Sequence, residues 1–135
     1  MSWAVFTIPG KVATKGRPRF STAKGVPRTY TPANTVMYEN LVKTIWMQSG
    51  CEKLEGCVSA VIVAVYPIPK SISKKKREAL KGSPYPHKGD CDNVAKIILD
   101  SLNGLAYDDD AQVTSLTVQK IYGDDPRAFV SLKGE

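Results

Sequence analysis

Histidine occurs once in this 135-residue chain, at His87, and cysteine three times without a Cys-x-x-Cys spacing. That leaves too few ligands for a structural zinc site. The odd count of thiols (Cys51, Cys57, Cys91) fits a reducing cytoplasm better than a disulfide scaffold. Long hydrophobic runs are missing as well. The longest, Val58 to Tyr66, is strand-sized, whereas a membrane span needs roughly 20 apolar residues. Met1-Ser2-Trp3-Ala4-Val5 has no basic stretch ahead of its apolar residues, so no secretory leader is expected. Internal repeats and composition breaks are absent too, which predicts one domain over 1–135. Acidic residues are absent before Glu39.

Cations fill the acid-free stretch: Lys11, Lys15, Arg17, Arg19, Lys24 and Arg28. A second basic block runs Lys70, Lys74, Lys75, Lys76, Arg77 and Lys81. The chain carries 19 Lys and Arg against 13 Asp and Glu, a net charge of +6. Most of the acids are gathered between Asp90 and Asp125. Two clusters stand out there, Gly89-Asp90-Cys91-Asp92-Asn93 and Tyr107-Asp108-Asp109-Asp110-Ala111-Gln112-Val113. Crowded carboxylates resist ionising together unless something compensates them. A divalent cation with oxygen ligands does so. A carboxylate–metal site in a basic chain points to chemistry on a polyanion, and so to nucleic acid.

The elements follow from periodicity and punctuation. Trp3 to Ile8 reads as a strand bounded by Pro9-Gly10. Residues 9–31 read as a long loop or irregular ribbon. Thr31 as N-cap and Pro32 at the first position start a helix, with Val36, Met37, Asn40, Leu41, Thr44, Ile45 and Gln48 on one face, ended by Ser49-Gly50. Met37 and Trp46 are expected in a core or interface. Cys57 to Tyr66 is so apolar that it should be a central strand covered on both faces. Ser73 to Lys81 predicts a short basic helix capped by Ser73. Asp90 or Asp92 caps the next helix, which buries Val94, Ile97, Ile98, Leu102 and Leu105 and closes at Asn103-Gly104. Val113–Tyr122 and Arg127–Leu132 read as strands joined by a hairpin loop at Gly123-Asp124-Asp125-Pro126. The order β-α-β-(short α)-α-β-β predicts an α+β, two-layer sandwich with helices on one face of a mixed sheet.

Asp90 and Asp92 sit at a helix entrance, where backbone N–H groups favour negative charge. One can cap while the other reaches out. Lys96 lies four residues past Asp92 on the same face, so its ammonium can sit beside the carboxylates or beside a bound phosphate, and Asp100 is most simply its surface partner. Asp110 begins the turn beyond that helix. A helix of about 13 residues is roughly 20 Å long, so Asp110 meets Asp90 only if the chain doubles back or a second subunit supplies it. Magnesium suits these ligands, because it takes one or two carboxylates, keeps waters and binds phosphates; manganese is a possible substitute. The plainer readings are caps, turns and loop residues, His87 included. They correspond to a non-catalytic branched-DNA-binding protein. A phosphatase using Asp90-Cys91-Asp92 would want a strand before it, and Pro84-Tyr85-Pro86 argues against one.

Asp90-Cys91-Asp92-Asn93-Val94-Ala95-Lys96, then Leu102-Asn103-Gly104, then Tyr107-Asp108-Asp109-Asp110-Ala111-Gln112-Val113 resembles the RusA family of Holliday junction resolvases, whose pattern is D-x-D-N with a following Lys, a helix, and D-D-x-Q-V. Gly16-Arg17-Pro18-Arg19-Phe20 and Thr29-Tyr30-Thr31-Pro32 resemble the basic N-terminal segment of phage and Gram-positive members. The resemblance implies a homodimeric, magnesium-dependent endonuclease making paired nicks in four-way DNA junctions. It implies Asp90, Asp92 and Asp110 as catalytic, metal-binding carboxylates and Lys96 as the catalytic lysine. The DNA contacts expected with it are Lys11, Lys15, Arg17, Arg19, Lys24, Arg28, Lys74, Lys75, Lys76, Arg77 and Lys88. One departure is Gly89, where the family often has a basic residue. Asp109 competes with Asp110 for the third carboxylate; Asp110 is preferred because it directly precedes Ala111-Gln112-Val113.

Overall fold

The computed structural model describes residues 2–15, 19–21, 28–30 and 33–135, the two short segments as backbone. The expected Thr31-Pro32 helix start, Arg17 and Lys24 lie outside the described residues, as do the side chains of Arg19 and Arg28. In chain order the elements are β1 (Ser2–Pro9), β2 (Arg19–Ser21), β3 (Arg28–Tyr30), α1 (Ala33–Ser49), β4 (Val58–Pro67), α2 (Lys74–Leu80), α3 (Cys91–Ser101), β5 (Val113–Gly123) and β6 (Arg127–Gly134). A turn of 3-10 helix at Asp110–Gln112 leads into β5. The class is α+β, with a mixed four-stranded sheet in the order β1-β6-β4-β5. The stretch read as a loop contains the small antiparallel β2–β3 ribbon.

The strand order departs from the expected hairpin. β5 and β6 are consecutive but not paired; β5 runs parallel to β4, and β6 lies antiparallel between β1 and β4. Gly123 to Pro126 therefore carries the chain past the end of β4. The apolar β4 has the central place expected of it, but one of its faces is open. Alternate residues Val58, Ala60, Ile62 and Ala64 are buried, whereas Val61 is 42% exposed. Trp3 and Val5 of β1 are 61% and 65% exposed on the same face. A valine-rich run raises strand propensity whether or not a second layer covers it.

The other face holds the core. Ala4, Ala60, Ala64 and Ala128 are small and fully or almost fully buried, and Phe6, Ile8, Ile62, Val130 and Leu132 fill the space around them. The helix α1 buries Thr35, Tyr38, Val42 and Trp46, not the face expected from Val36 and Met37. Met37 is 71% exposed. Apolar residues encircle this helix, so periodicity leaves its orientation undecided. The two aromatics, eight residues apart, take the core side, and Trp46 packs edge-on to Phe6 at 5.7 Å. The helix α3 is sharply amphipathic and buries Val94, Ile97, Ile98 and Leu99, with Leu102 just beyond it. Ser73 caps α2, its side chain accepting from the Lys76 N–H. Among the described residues no helix is long and apolar enough to cross a membrane.

Candidate nuclease site

Parallel pairing of β4 and β5 forces the chain back along the sheet, and α3 makes that return. Its entrance therefore lies at the C-terminal end of β4, beside Tyr66. Its exit lies where β4 and β5 begin, so the two acidic clusters sit at opposite ends of α3.

At the entrance, Asp90 is the N-cap residue in extended conformation, and its carbonyl accepts from the Val94 N–H at 3.0 Å. Its side chain makes no capping hydrogen bond. The carboxylate is thus exposed at a helix N-terminus with no capping role among the described residues. Asp92 is exposed in the first turn and Lys96 one turn on. Gly89 explains the departure from a basic residue. Its φ is +106°, and a Cβ there would lie 2.6 Å from the Tyr66 hydroxyl. That hydroxyl is buried without a hydrogen-bond partner among the described residues. Burial, then the Tyr85 and Cys91 groups, push its pKa up to about 12. An unpaired buried hydroxyl costs about 1–3 kcal/mol.

The loop before Asp90 is clamped from β5. Tyr85 stacks on Tyr66 with centroids 4.1 Å apart, and its N–H donates to the Lys120 carbonyl. Lys120 Nζ donates to the His87 carbonyl at 2.7 Å and lies near the Tyr66 and Tyr85 rings. Sequence reading passed over Lys120; its only signal was a lone cation in an otherwise uncharged strand.

At the exit, Tyr107 is fully buried, and its hydroxyl donates to the Leu99 carbonyl at 2.6 Å. This pins the aspartate turn to the end of α3. Asn103 Oδ1 accepts from the Asp110 N–H at 2.8 Å. Gln112 Oε1 accepts from the Asp108 and Asp109 N–H groups, and its Nε2 donates to the Gly56 carbonyl. Both amides therefore have architectural work. Asp109 accepts from the Ala111 N–H at 3.1 Å, and Asp108 pairs with Lys53. Asp110 is the half-buried member of the trio. Burial and hydrogen bonding to Asp100 and Asp109 raise its pKa above the ordinary carboxylate value.

Asp100 is not paired with Lys96 as expected. Lys15 takes that place, with Nζ 3.6 Å from Asp100 and 2.9 Å from Glu39. The Lys15 N–H also donates to the Asn93 carbonyl, so this segment crosses the first turn of α3. Lys15 is thus held between two carboxylates, and its pKa is raised chiefly by Glu39. Lys11, Lys74, Lys75, Lys76 and Lys88 are exposed. Arg77 reaches the Pro69 carbonyl and Asp124.

Asp90 and Asp100 are ten residues apart, about 15 Å along the helix axis, and Asp110 adjoins Asp100. One chain does not bring Asp90, Asp92 and Asp110 together, and among the described residues no group of three or more His, Cys, Asp or Glu could hold a metal ion. The uncommitted Asp90 and Asp92 carboxylates do suit magnesium, which needs one or two such ligands beside water and phosphate.

The family model described as "Endodeoxyribonuclease RusA" matches residues 9–133. The chain belongs to the RusA endodeoxyribonuclease family. It is therefore an endonuclease of the Holliday junction resolvase class, and binding to branched DNA comes with that class. The "Uncharacterized protein YqaN" of Bacillus subtilis (strain 168) is 38% identical over 133 residues, covering 95% of this chain and 94% of that protein. This RusA-family assignment displaces the alternative of a non-catalytic branched-DNA-binding protein.

Proposed function

We propose that this RusA-family chain, one domain over 1–135, is a magnesium-dependent endonuclease that resolves four-way DNA junctions by paired, symmetrical nicks in recombination and repair. It works in the cytoplasm as a homodimer. Asp90, Asp92 and Lys96 of one subunit form a site with the partner subunit's Asp110. The observation that carries the reading is the Asp90 carboxylate, which stands at a helix N-terminus yet caps nothing. The separation of Asp110 from it supports the sharing between subunits. Asp90 and Asp92 would hold the cation, with Asp110 completing the set. A bound divalent cation supplies Lewis-acid stabilisation of charge developing at the phosphate. Lys96 places a further positive charge there. Asp109 and Gln112 hold the Asp110 turn in shape, and Asn103 aims it. The basic surface of α2 and Lys88 supply phosphate contacts.

Cleavage of a labelled four-way junction, against linear duplex and with magnesium or EDTA, tests the activity. Mixing subunits tests the sharing. Asp92→Asn and Asp110→Asn should each be inactive alone. Their heterodimer keeps one intact site, formed by the Asp90 and Asp92 of one subunit and the Asp110 of the other, and should make single nicks. If the mixture stays inactive while wild-type chains mixed in the same way cut, the shared site is refuted.

A further inference from the structure

Beside the Asp90 turn lies a cavity of about 870 Å³ between α1, the segment after β1 and the loop before α3. That is within the size of a ligand pocket, roughly 300–1,000 Å³. Met37 and Leu41 of α1 form an apolar wall, and Tyr66 and Tyr85, stacked on each other, form an aromatic end. Lys11 and Lys88 stand exposed at its rim. Tyr38 and Tyr66 both line the cavity and are at least 94% buried, and among the described residues their hydroxyls have no hydrogen-bond partner. Gly89 lines the cavity and directly precedes Asp90. An occupant whose anionic part meets Lys88 therefore lies next to the candidate cleavage carboxylates.

We propose that this cavity receives an unstacked nucleobase of the DNA, from the nucleotide beside the phosphate that is cut. The inference rests on the nuclease reading above and adds a base-reading subsite to it. An apolar, aromatic-ended pocket offers a planar base the contacts it loses on leaving the stack. The Tyr66 and Tyr85 rings, not their hydroxyls, are the groups that an inserted base would meet at that end. The rim lysines match the phosphate of the same nucleotide. A base inside a duplex cannot enter, so entry needs a nucleotide already loosened from its stack. That condition favours branched DNA over linear duplex.

The test places 2-aminopurine, or an abasic nucleotide, at each position around the cut in a four-way junction. With the cleavage-deficient Asp92→Asn chain, one position should change its 2-aminopurine emission on binding. The change should vanish when Leu41→Trp fills the cavity. Met37→Trp narrows the mouth from an exposed position, so it serves if Leu41→Trp does not fold. An abasic nucleotide at that position should slow cleavage by otherwise wild-type protein about tenfold or more, the order expected for losing one stacked base. Cleavage and emission indifferent to every position, and unchanged in both tryptophan variants, overturn the pocket. Failure of the nuclease reading looks different, because the wild-type chain would then leave every junction intact. Even so, an emission change lost in the tryptophan variants would keep the base site, and its absence would remove it.

Discussion

Gly89→Ala is the sharpest single perturbation of the cleavage motif that leaves every aspartate in place. Two separable costs meet there. A φ of +106° strains any residue with a Cβ, at about 1–2 kcal/mol. The new Cβ would also lie 2.6 Å from the Tyr66 hydroxyl, and relieving such an overlap in a packed region costs about 1–3 kcal/mol. The total is about 2–5 kcal/mol. For a chain of 135 residues, unfolding entropy of about 2.1 cal/mol/K per residue converts each kcal/mol into about 3.5 °C. Melting followed by circular dichroism should therefore show Tm lowered by roughly 7–17 °C. Adding Tyr66→Phe removes the oxygen that the methyl meets. The double variant should regain the steric share and retain the backbone share, giving a coupling of about 1 kcal/mol or more. Junction cleavage by Gly89→Ala should fall further than its binding, because Asp90 follows the strained residue. A Gly89→Ala chain within 0.5 kcal/mol of wild type, or a double variant showing no coupling, would refute the argument.

Tyr66→Phe and Tyr38→Phe each remove a buried hydroxyl without a partner among the described residues and should stabilise the free protein by up to about 1 kcal/mol in urea unfolding; destabilisation of both would mean that the hydroxyls are satisfied. Asp110 has a raised pKa, from burial first and then from Asp100 and Asp109, so its native-state proton stabilises at low pH and that contribution is lost as pH rises through the folded value. In EDTA, Asp110→Asn should melt higher than wild type at neutral pH, and the gap should close as pH falls toward the ordinary value of 3.8; a pH-independent gap would contradict the carboxylate crowding. Replacing Lys74, Lys75 and Lys76 with Gln should flatten the salt dependence of junction binding by up to about 0.9 log units per lost phosphate contact, read by anisotropy, and an unchanged slope would take α2 out of the DNA path.

Local patterns carried most of the element list. The α3 stripe of Val94, Ile97, Ile98 and Leu102 is unambiguous because its polar face is charged, and Ser73 announces the start of α2. Sheet order was not legible, because β6 sits between β1 and β4 through long-range pairing that no turn signal encodes. The sequence shows Gly123-Asp124-Asp125-Pro126 as a turn, and a turn it is, but between strands that are not neighbours. The face of α1 was misread because its apolar residues surround it. At the site, the motif residues were legible by type and spacing, and the notable misses were long-range. Lys15 reaches Asp100 across 85 positions, and the fit of Gly89 over Tyr66 joins a loop to the end of a strand. Even the roles of Asn103 and Gln112 needed coordinates, since an amide's hydrogen-bond partners cannot be read from its neighbours in sequence.

The placement of the acids bears on how such a chain would avoid indiscriminate cutting. On the shared-site proposal, each subunit carries two incomplete halves at opposite ends of one helix, and neither half suffices. The exit half is also electrostatically unsettled, for Asp110 is pressed against Asp100, and the Lys15 ammonium that meets Asp100 is held more closely by Glu39. Bringing a cation and a second subunit to that half would relieve the crowding that a lone chain must bear. Association, metal uptake and cleavage competence would then be thermodynamically linked: magnesium should tighten the dimer of the wild-type chain, and should not do so once Asp110→Asn has removed the charge that the cation relieves. Sedimentation of both chains with and without magnesium separates this from a dimer held only by apolar contacts, whose association the metal would leave unchanged.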